Sequence, residues 1–561
     1  MPLVRLDALL LAALPAAWLL ANHYPPWLSA WQDGFALALL LLAGLTLSRP
    51  ATLPRLWALW GAVAIGSVCL QGWMGLIVFA GDVWIVVLYL VAFLLAIAAG
   101  STLIEADPQD PAPRLHAFCA GLVLAATASV GIGLAQWAGV AQLGIFGADL
   151  APGGRPFGNL AQANHWSTAS FIGLAAALVL YEARRIGTAT FSAAGLLLLL
   201  GMVASGSRTA WLQIALVTLL VLALRRQVAA RVEVRHLALG LLFFIVSWLL
   251  WPWLNELVAS AANARSVAEQ AQGGVRLPLW LAMLDAIAER PLLGYGWQQM
   301  VLAQQAVALD GPLIQRHFEH AHNLVLDLLI WAGVPAGATL LMLMGWALLR
   351  LLARARDARL LGMLAAIGGL LAHAMVELPA EYAYFLLPVG LLLGAAHRLV
   401  GDLGLRLPGM AMRASAGLAC AALVLTGLDY LRAEQGYRML RLESARIGTA
   451  AIETPAPTLR VLTQLEAFQR FARVEARPGL GPDELAFSRR VAERFAYPPA
   501  QFRHALAAGL NGQPEEAARW LAMLCRMHPP VRCTEAIEGW RQAREKHPVL
   551  LAVPAPAVPG S

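Results

Sequence analysis

Trp84-Ile-Val-Val-Leu-Tyr-Leu-Val-Ala-Phe-Leu-Leu-Ala-Ile-Ala-Ala-Gly100 is seventeen residues long and carries no charge. A helix that crosses a bilayer needs roughly 17–25 mostly apolar residues, and this run meets that length. Comparable runs, among them Leu9–Leu20 and Phe35–Leu47, recur through the first three quarters of the chain. The 561 residues are 59% apolar and 13% charged, with 19 Trp and a mean hydropathy of +0.64. Globular domains carry about 25% charged residues, so these charges are too few to cover a soluble protein of this size. Strands of an outer-membrane barrel alternate in stretches of about 10 residues, and these runs do not alternate. The chain is therefore read as an all-α polytopic membrane protein, in which helices satisfy their own backbone groups away from water.

About thirteen transmembrane helices are expected, beginning near Asp7, Phe35, Leu56, Trp84, Leu115, Trp166, Phe191, Thr209, His236, Asn323, Leu360, Phe385 and Ala414. The first run lacks a small-x-small cleavage site followed by a soluble domain, so it is read as a span rather than a signal peptide. The long run His322–Leu352 contains Gly333, Pro335 and Gly337, which predict a kink.

Arginine placement sets the orientation. With the N-terminus cytoplasmic, 17 arginines fall on the inner side, from Arg5 and Arg49 through Arg413. Six fall in outer loops: Arg155, Arg208, Arg265, Arg276, Arg290 and Arg316. The positive-inside rule favours that arrangement. An odd number of spans then puts the tail outside, which in a Gram-negative cell is the periplasm. Residues 1–430 form the expected membrane domain, with a large outer loop over 255–321. Residues 431–561 form a polar helical domain, and its Pro-rich end, Ala552–Ser561, is expected to be disordered. Pro498–Pro529 resembles one tetratricopeptide unit; an irregular helical cap is the alternative. Cys69, Cys119 and Cys420 sit in apolar runs as small core residues. Cys525 and Cys533 are able to pair if the tail is extracytoplasmic. The arginines sit in short loops rather than in a basic cluster on a soluble face, so nucleic acid is not an expected partner.

Polar residues next to membrane segments are expensive and mark function. Most of the suspicious ones fall on the outer side: 153–165 with Gln162, Asn164 and His165; Ser205-Gly-Ser-Arg-Thr209; Gly273-Gly-Val-Arg276; Pro291–Trp297; Arg316–Asn323; and His373–Phe385 with Glu377, Tyr382 and Tyr384. One outward-facing site built from these segments is the simplest account. Arg208, behind Ser205 and Ser207 as N-caps, is either an interfacial anchor or, with free backbone N–H groups, an anion site. Arg276 after the glycine pair has the same two readings. His317, His320 and His322 fit either a general base or a metal ligand set. On a helix, His320 and His322 at i,i+2 point apart and acidic neighbours are few, which favours the base. Asn323 and Glu319 are the candidates for orienting it. Glu377 is a hydrogen-bond acceptor for substrate or a partner for an arginine. Tyr382 and Tyr384 are belt residues or a platform for sugars.

His322-Asn323 followed by Gly333 resembles the His-Asn…Gly signature of the O-antigen ligase (WaaL) and O-antigen polymerase (Wzy) superfamily. Gly158–His165, Glu377–Phe385, Asn22-His-Tyr-Pro-Pro26 and the helical tail are similar to the PglL-type protein O-oligosaccharyltransferases of pilin glycosylation. The sequence departs from the signature at Ala336, three residues after Gly333, and at Trp331-Ala332 before it; Glu377-Leu-Pro-Ala380 stands in place of Glu-Tyr-Pro-Leu.

The resemblance implies a metal-independent transferase of the GT-C kind, without a cofactor. Its donor would be an oligosaccharide on undecaprenyl pyrophosphate in the outer leaflet of the inner membrane. Its acceptor would be a pilin-like protein, with lipid A–core as the ligase alternative. On that reading His322 is the catalytic base and Arg208 and Arg276 bind the pyrophosphate. Gln162, Asn164, His165, His320, Asn323, Glu377, Tyr382 and Tyr384 line the substrate pocket. Membrane lipids surround the spans, and the polyprenyl tail lies along apolar span surfaces. Two rivals of other classes are a secondary transporter, which would show internal repeats and charged midplane helices, and a scaffold whose tail recruits partners. No clear repeat is found.

Overall fold

The computed structural model describes residues 6–21, 23–47, 49–104, 112–140, 143–150, 154–160, 162–258, 276–445 and 455–554. Arg5, Asn22, Gly153, Arg265, the Gly273-Gly-Val275 triplet and residues 555–561 of the Pro-rich end lie outside them. Each of the thirteen apolar runs contains a helix. Seven of these helices are long and apolar enough to cross a membrane: Arg55–Trp73, Ala80–Leu103, Pro113–Trp137, Ala163–Glu182, Val234–Val258, Leu324–Ala353 and Gly409–Ser444. Six more are apolar but shorter, at 10–17 residues: Leu6–Leu19, Ala30–Thr46, Thr188–Ala204, Arg208–Leu224, Arg359–Ala374 and Ala383–Leu399.

The described chain forms two compact units that do not follow chain order. The first is Met1–Ala62, Leu88–Gln272 and Met342–Val424; the second is Val63–Val87, Gly273–Leu341 and Leu425–Ser561. In the first unit the Ala163–Glu182 helix is buried on nearly every side, with only Asn164, Leu174 and Glu182 partly exposed. Small residues allow this. A Cβ on Gly362 would lie 2.4 Å from the Ala175 carbonyl oxygen, so the Arg359–Ala374 helix packs backbone to backbone against it. A two-stranded antiparallel ribbon pairs Ala51–Pro54 with Gly404–Leu407, in register Ala51 to Leu407. Beside it Asp402 gathers Arg350, Arg354 and His397 at 2.8, 2.9 and 2.7 Å.

In the second unit the long Leu324–Ala353 helix breaks at Gly333, where φ is 76° and ψ 166°. The break frees backbone groups that the apolar surroundings cannot solvate. The Pro291–Trp297 segment takes them up. Tyr295 N–H donates to the Ile330 carbonyl (2.8 Å), Gly296 N–H to Trp331 (3.2 Å), and Val334 N–H to Pro291 (2.7 Å). The buried Gln71 amide completes the seam, donating to the carbonyls of Leu293 and Trp331, each at 2.7 Å, and accepting from Trp297 N–H. A Cβ on Gly333 would meet the Leu292 carbonyl oxygen at 2.3 Å, and its backbone angles are open essentially to glycine alone. Gly333→Ala should therefore destabilise the protein by about 2–4 kcal/mol. Gly345→Ala, in open space on the same helix, is the control. Thermal melts in detergent would show it, and equal melting temperatures for the two variants would contradict the seam.

The tail helices Pro498–Leu510 and Pro514–Met527 pair, and Pro530–Lys546 closes over them with Trp540 and Leu550 in the shared core. Val301 and Ala308, between the Arg276–Glu289 and Leu324–Ala353 helices, belong to the same core. Cys525 and Cys533 form a disulfide. His528 is 4% exposed and shares a 3.0 Å hydrogen bond with Gln501. Burial pushes its imidazole down to about 4, and the charge of His317 adds to that; burial also lowers His504. Both are neutral in the fold, whereas a free histidine titrates near 6.5. Between these values the unfolded chain binds more protons. Stability is thus full above about pH 6.5 and falls as pH drops toward 4. The melting temperature should decline from pH 7 to pH 5, and His528→Gln should flatten the slope; an unchanged slope would contradict this.

Candidate active site

In the first unit, two of the polar segments singled out in the sequence meet. Gln162 is the N-cap residue of the Ala163–Glu182 helix, and its carbonyl accepts from His165 and Trp166. Asn164 and His165 occupy the first turn. Asn164 donates to Glu377 Oε1 at 3.4 Å. His165 Nδ1 shares a 2.9 Å hydrogen bond with the Tyr384 hydroxyl, and its ring meets the edge of Tyr382 at 4.5 Å. His165 and Tyr384 are buried, while Asn164, Glu377 and Tyr382 are half-buried. The buried pair thus braces the half-buried three.

Tyr384 is fixed from three directions. Its N–H donates to Asp33 Oδ1 (3.3 Å), its carbonyl accepts from Trp18 Nε1 (2.9 Å), and its hydroxyl meets His165. Ser29 donates to Asp33 Oδ2 at 2.6 Å. Asp33 and Trp18 were not recognisable as site residues in the sequence, because each lies hundreds of residues from its partner. The 158–165 segment is tied at its start as well. His23 Nε2 and the Gln32 amide both bond the Asn159 carbonyl at 2.6 Å. The His-Tyr-Pro-Pro segment near the N-terminus therefore supports the Gly158–His165 segment directly.

Arg208 is the first residue of the Arg208–Leu224 helix and is exposed. Ser207 is the N-cap, its hydroxyl accepting from Thr209 N–H at 3.2 Å. Gly206 takes a φ of 57°, which turns the chain into the helix. Ser205 donates to the Met202 carbonyl and accepts from Ser207 N–H. Arg155 donates to the carbonyls of Ser205 and Gly206 at 3.3 and 3.0 Å. A second guanidinium thus stands at the turn that presents Arg208. A helix N-terminus with cationic side chains is a setting for a phosphate.

In the second unit the Arg316–Asn323 segment is not helical. The helical expectation that His320 and His322 point apart therefore fails. His322 takes a φ of 53°, and the two imidazoles meet edge to face with centroids 4.1 Å apart. Phe318 meets the His322 ring edge-on at 5.4 Å. The intervening Ala321 peptide is held at both ends. Its N–H donates to Asp327 Oδ1 at 2.7 Å, and its carbonyl accepts from Trp280 Nε1 at 2.9 Å. Trp280 belongs to the Arg276–Glu289 helix, so the helix that Arg276 begins also grips the histidine loop.

Both side chains expected to orient His322 have other work. Asn323 Oδ1 accepts from Val325 and Leu326 N–H and caps the next helix. Glu319 accepts from the Tyr497 hydroxyl at 3.0 Å and lies 3.9 Å from His317 Nε2. His317, then the charge of Arg494 and the Tyr497 hydroxyl, hold the Glu319 carboxyl well below the usual range. Arg494 is anchored on both Asp82 oxygens at 3.0 and 3.1 Å. The tail is thereby fastened to the histidine loop and to residue 82 by a chain of charges.

Residues 193–341 match the family model described as O-antigen ligase. Residues 361–537 match that of the virulence factor membrane-bound polymerase, C-terminal. The first stretch contains Arg208, Arg276, His320, His322 and Asn323; the second contains Glu377, Tyr382 and Tyr384. Over 541 residues, 94% of this chain and 93% of the relative, the sequence is 28% identical to the general O-oligosaccharyltransferase of Acinetobacter baylyi. The ComP-specific O-oligosaccharyltransferase of the same organism is 31% identical over 245 residues, 43% of this chain and 44% of that protein.

Proposed function

Since the chain belongs to the O-antigen ligase and O-antigen polymerase superfamily, we propose that it is a glycosyltransferase that moves an oligosaccharide en bloc from undecaprenyl pyrophosphate to a Ser or Thr of a pilin-like protein. The observation that carries this reading is the near full-length similarity to a general O-oligosaccharyltransferase. That relative shares the tail as well as the membrane part, which favours a protein acceptor over lipid A–core.

The chemistry follows from the residues. His322 takes the proton of the acceptor hydroxyl. The hydroxyl oxygen forms a bond to C1 of the first sugar as the bond from C1 to the pyrophosphate oxygen breaks. Undecaprenyl pyrophosphate leaves with its negative charge, which Arg208 and Arg276 stabilise where it develops. No metal is required by this scheme, because guanidinium groups supply the neutralisation. Gln162, Asn164, Glu377 and Tyr382 contact the glycan or acceptor, and His165 and Tyr384 hold them in place. All thirteen apolar helices cross the inner membrane, with the N-terminus cytoplasmic and the tetratricopeptide-like tail in the periplasm. The Cys525–Cys533 disulfide supports an oxidising compartment for the tail.

Mass spectrometry of periplasmic glycoproteins, with and without the gene, tests the reading. Loss of glycan from a pilin-like protein is expected. Loss of the lipopolysaccharide ladder with pilin mass unchanged would assign the enzyme to lipid A–core instead.

A further inference from the structure

The first unit contains a cavity of about 390 Å³ among four helices, Ala163–Glu182, Thr188–Ala204, Arg208–Leu224 and Val234–Val258. Its volume is within the roughly 300–1,000 Å³ of small-molecule sites. Its walls are almost wholly apolar, with Leu178, Gly195, Leu199, Val221, Leu237 and Gly240 among them. It is not part of the candidate active site. On the Arg208–Leu224 helix it spans Ile214 to Val221, about 9–20 Å along the axis from Arg208 at 1.5 Å per residue. It therefore sits toward the helix ends at Glu182, Thr188, Leu224 and Val234, whereas Asn164 and Arg208 mark the opposite ends.

The near end is built, not frayed. Arg231 lies 4.0 Å over the Tyr181 ring and donates to the carbonyls of Tyr181 and Ile186. Glu182 accepts from the N–H groups of Arg231 and Val232. Tyr181 stacks on Phe191 at 4.5 Å. His236 lines the cavity at this end. Around it the two connecting loops carry exposed Arg184, Arg185 and Arg226, and exposed Arg235 stands on the first turn of the Val234–Val258 helix, 2.8 Å from Glu233.

We propose that this cavity holds one acyl chain of an anionic glycerophospholipid whose phosphate is met by the arginines of the 183–187 and 225–233 loops. An apolar chamber inside membrane-crossing helices is bathed in hydrocarbon, so a lipid chain is the molecule at hand to fill it. Charge complementarity selects the headgroup. Juxtamembrane Arg and Lys residues attract anionic headgroups by about 1 kcal/mol each. The positive charge stands at the cavity's end of the helices, which distinguishes this lipid from the polyprenyl donor, whose pyrophosphate belongs at the other end.

Native mass spectrometry of the delipidated full-length protein tests this. It would be titrated with phosphatidylglycerol, with phosphatidylcholine of the same chains, and with undecaprenyl phosphate. Phosphatidylglycerol should bind about 10-fold more tightly than phosphatidylcholine. Gly195→Phe should reduce that binding at least fivefold, because a Cβ at Gly195 fits at 3.6 Å from Leu174 and a ring would then fill the chamber. Arg184→Ala with Arg185→Ala, both on exposed side chains, should remove the preference for phosphatidylglycerol even if the filled variant folds poorly. Leu249→Phe, on an exposed position of the Val234–Val258 helix, should change nothing. Equal binding of the two phospholipids, retention by both the filled and the double-arginine variants, or displacement of phosphatidylglycerol by equimolar undecaprenyl phosphate would overturn the proposal.

Discussion

His322→Ala should lower the single-turnover rate of glycan transfer by about 10³-fold, with the melting temperature of the purified protein unchanged. A positioned general base contributes typically 10²–10⁴, and this histidine is positioned at some expense. A non-glycine residue at a φ of 53° is strained by roughly 1–3 kcal/mol. The fold sustains that strain through the Ala321 peptide, gripped by Asp327 and Trp280 on either side. Strain held in place by surrounding hydrogen bonds is expected where geometry serves chemistry. A variant that transfers glycan within threefold of the wild type would remove His322 from the mechanism.

Arg208→Ala should slow transfer by about 10²–10³-fold, the effect of deleting one preorganised charge-stabilising group. The first turn of the helix supplies backbone N–H groups and the positive end of the dipole whatever the side chain. Arg208→Lys should therefore recover only part of the loss, since an ammonium cannot grip a pyrophosphate bidentately. The loss should fall on the rate with saturating donor more than on donor KM, because the charge grows as the leaving group departs. Arg541→Ala, on the tail and exposed, should leave both constants as they are. An Arg208→Ala enzyme that differed only in donor KM would make the residue a ground-state binder.

The helices were legible because an apolar run in a low-charge sequence has one stable outcome in hydrocarbon. Local signals also read through: Ser207 as N-cap before Arg208, the break in the His322–Leu352 run, and the pairing of Cys525 with Cys533. What was not legible depends on partners far along the chain. Gln71 acts on residues 293 and 331, and Asp33 on residue 384; within their own runs they look like isolated polar residues in a span. The association of 63–87 with the tail is of the same kind, resting on contacts such as Asp82 with Arg494. The histidine pair failed for another reason. A helical period does not hold in a segment that the Asp327 and Trp280 bonds keep non-helical, where i and i+2 come together instead of diverging.

The most direct measurement is the intact mass of a purified pilin-like acceptor incubated with the reconstituted protein and an undecaprenyl-pyrophosphate-linked oligosaccharide. The acceptor should gain the mass of the whole oligosaccharide in one step, on a Ser or Thr, with stoichiometric release of undecaprenyl pyrophosphate. An unchanged acceptor mass, in a preparation that does transfer the same glycan to lipid A–core, would contradict the account.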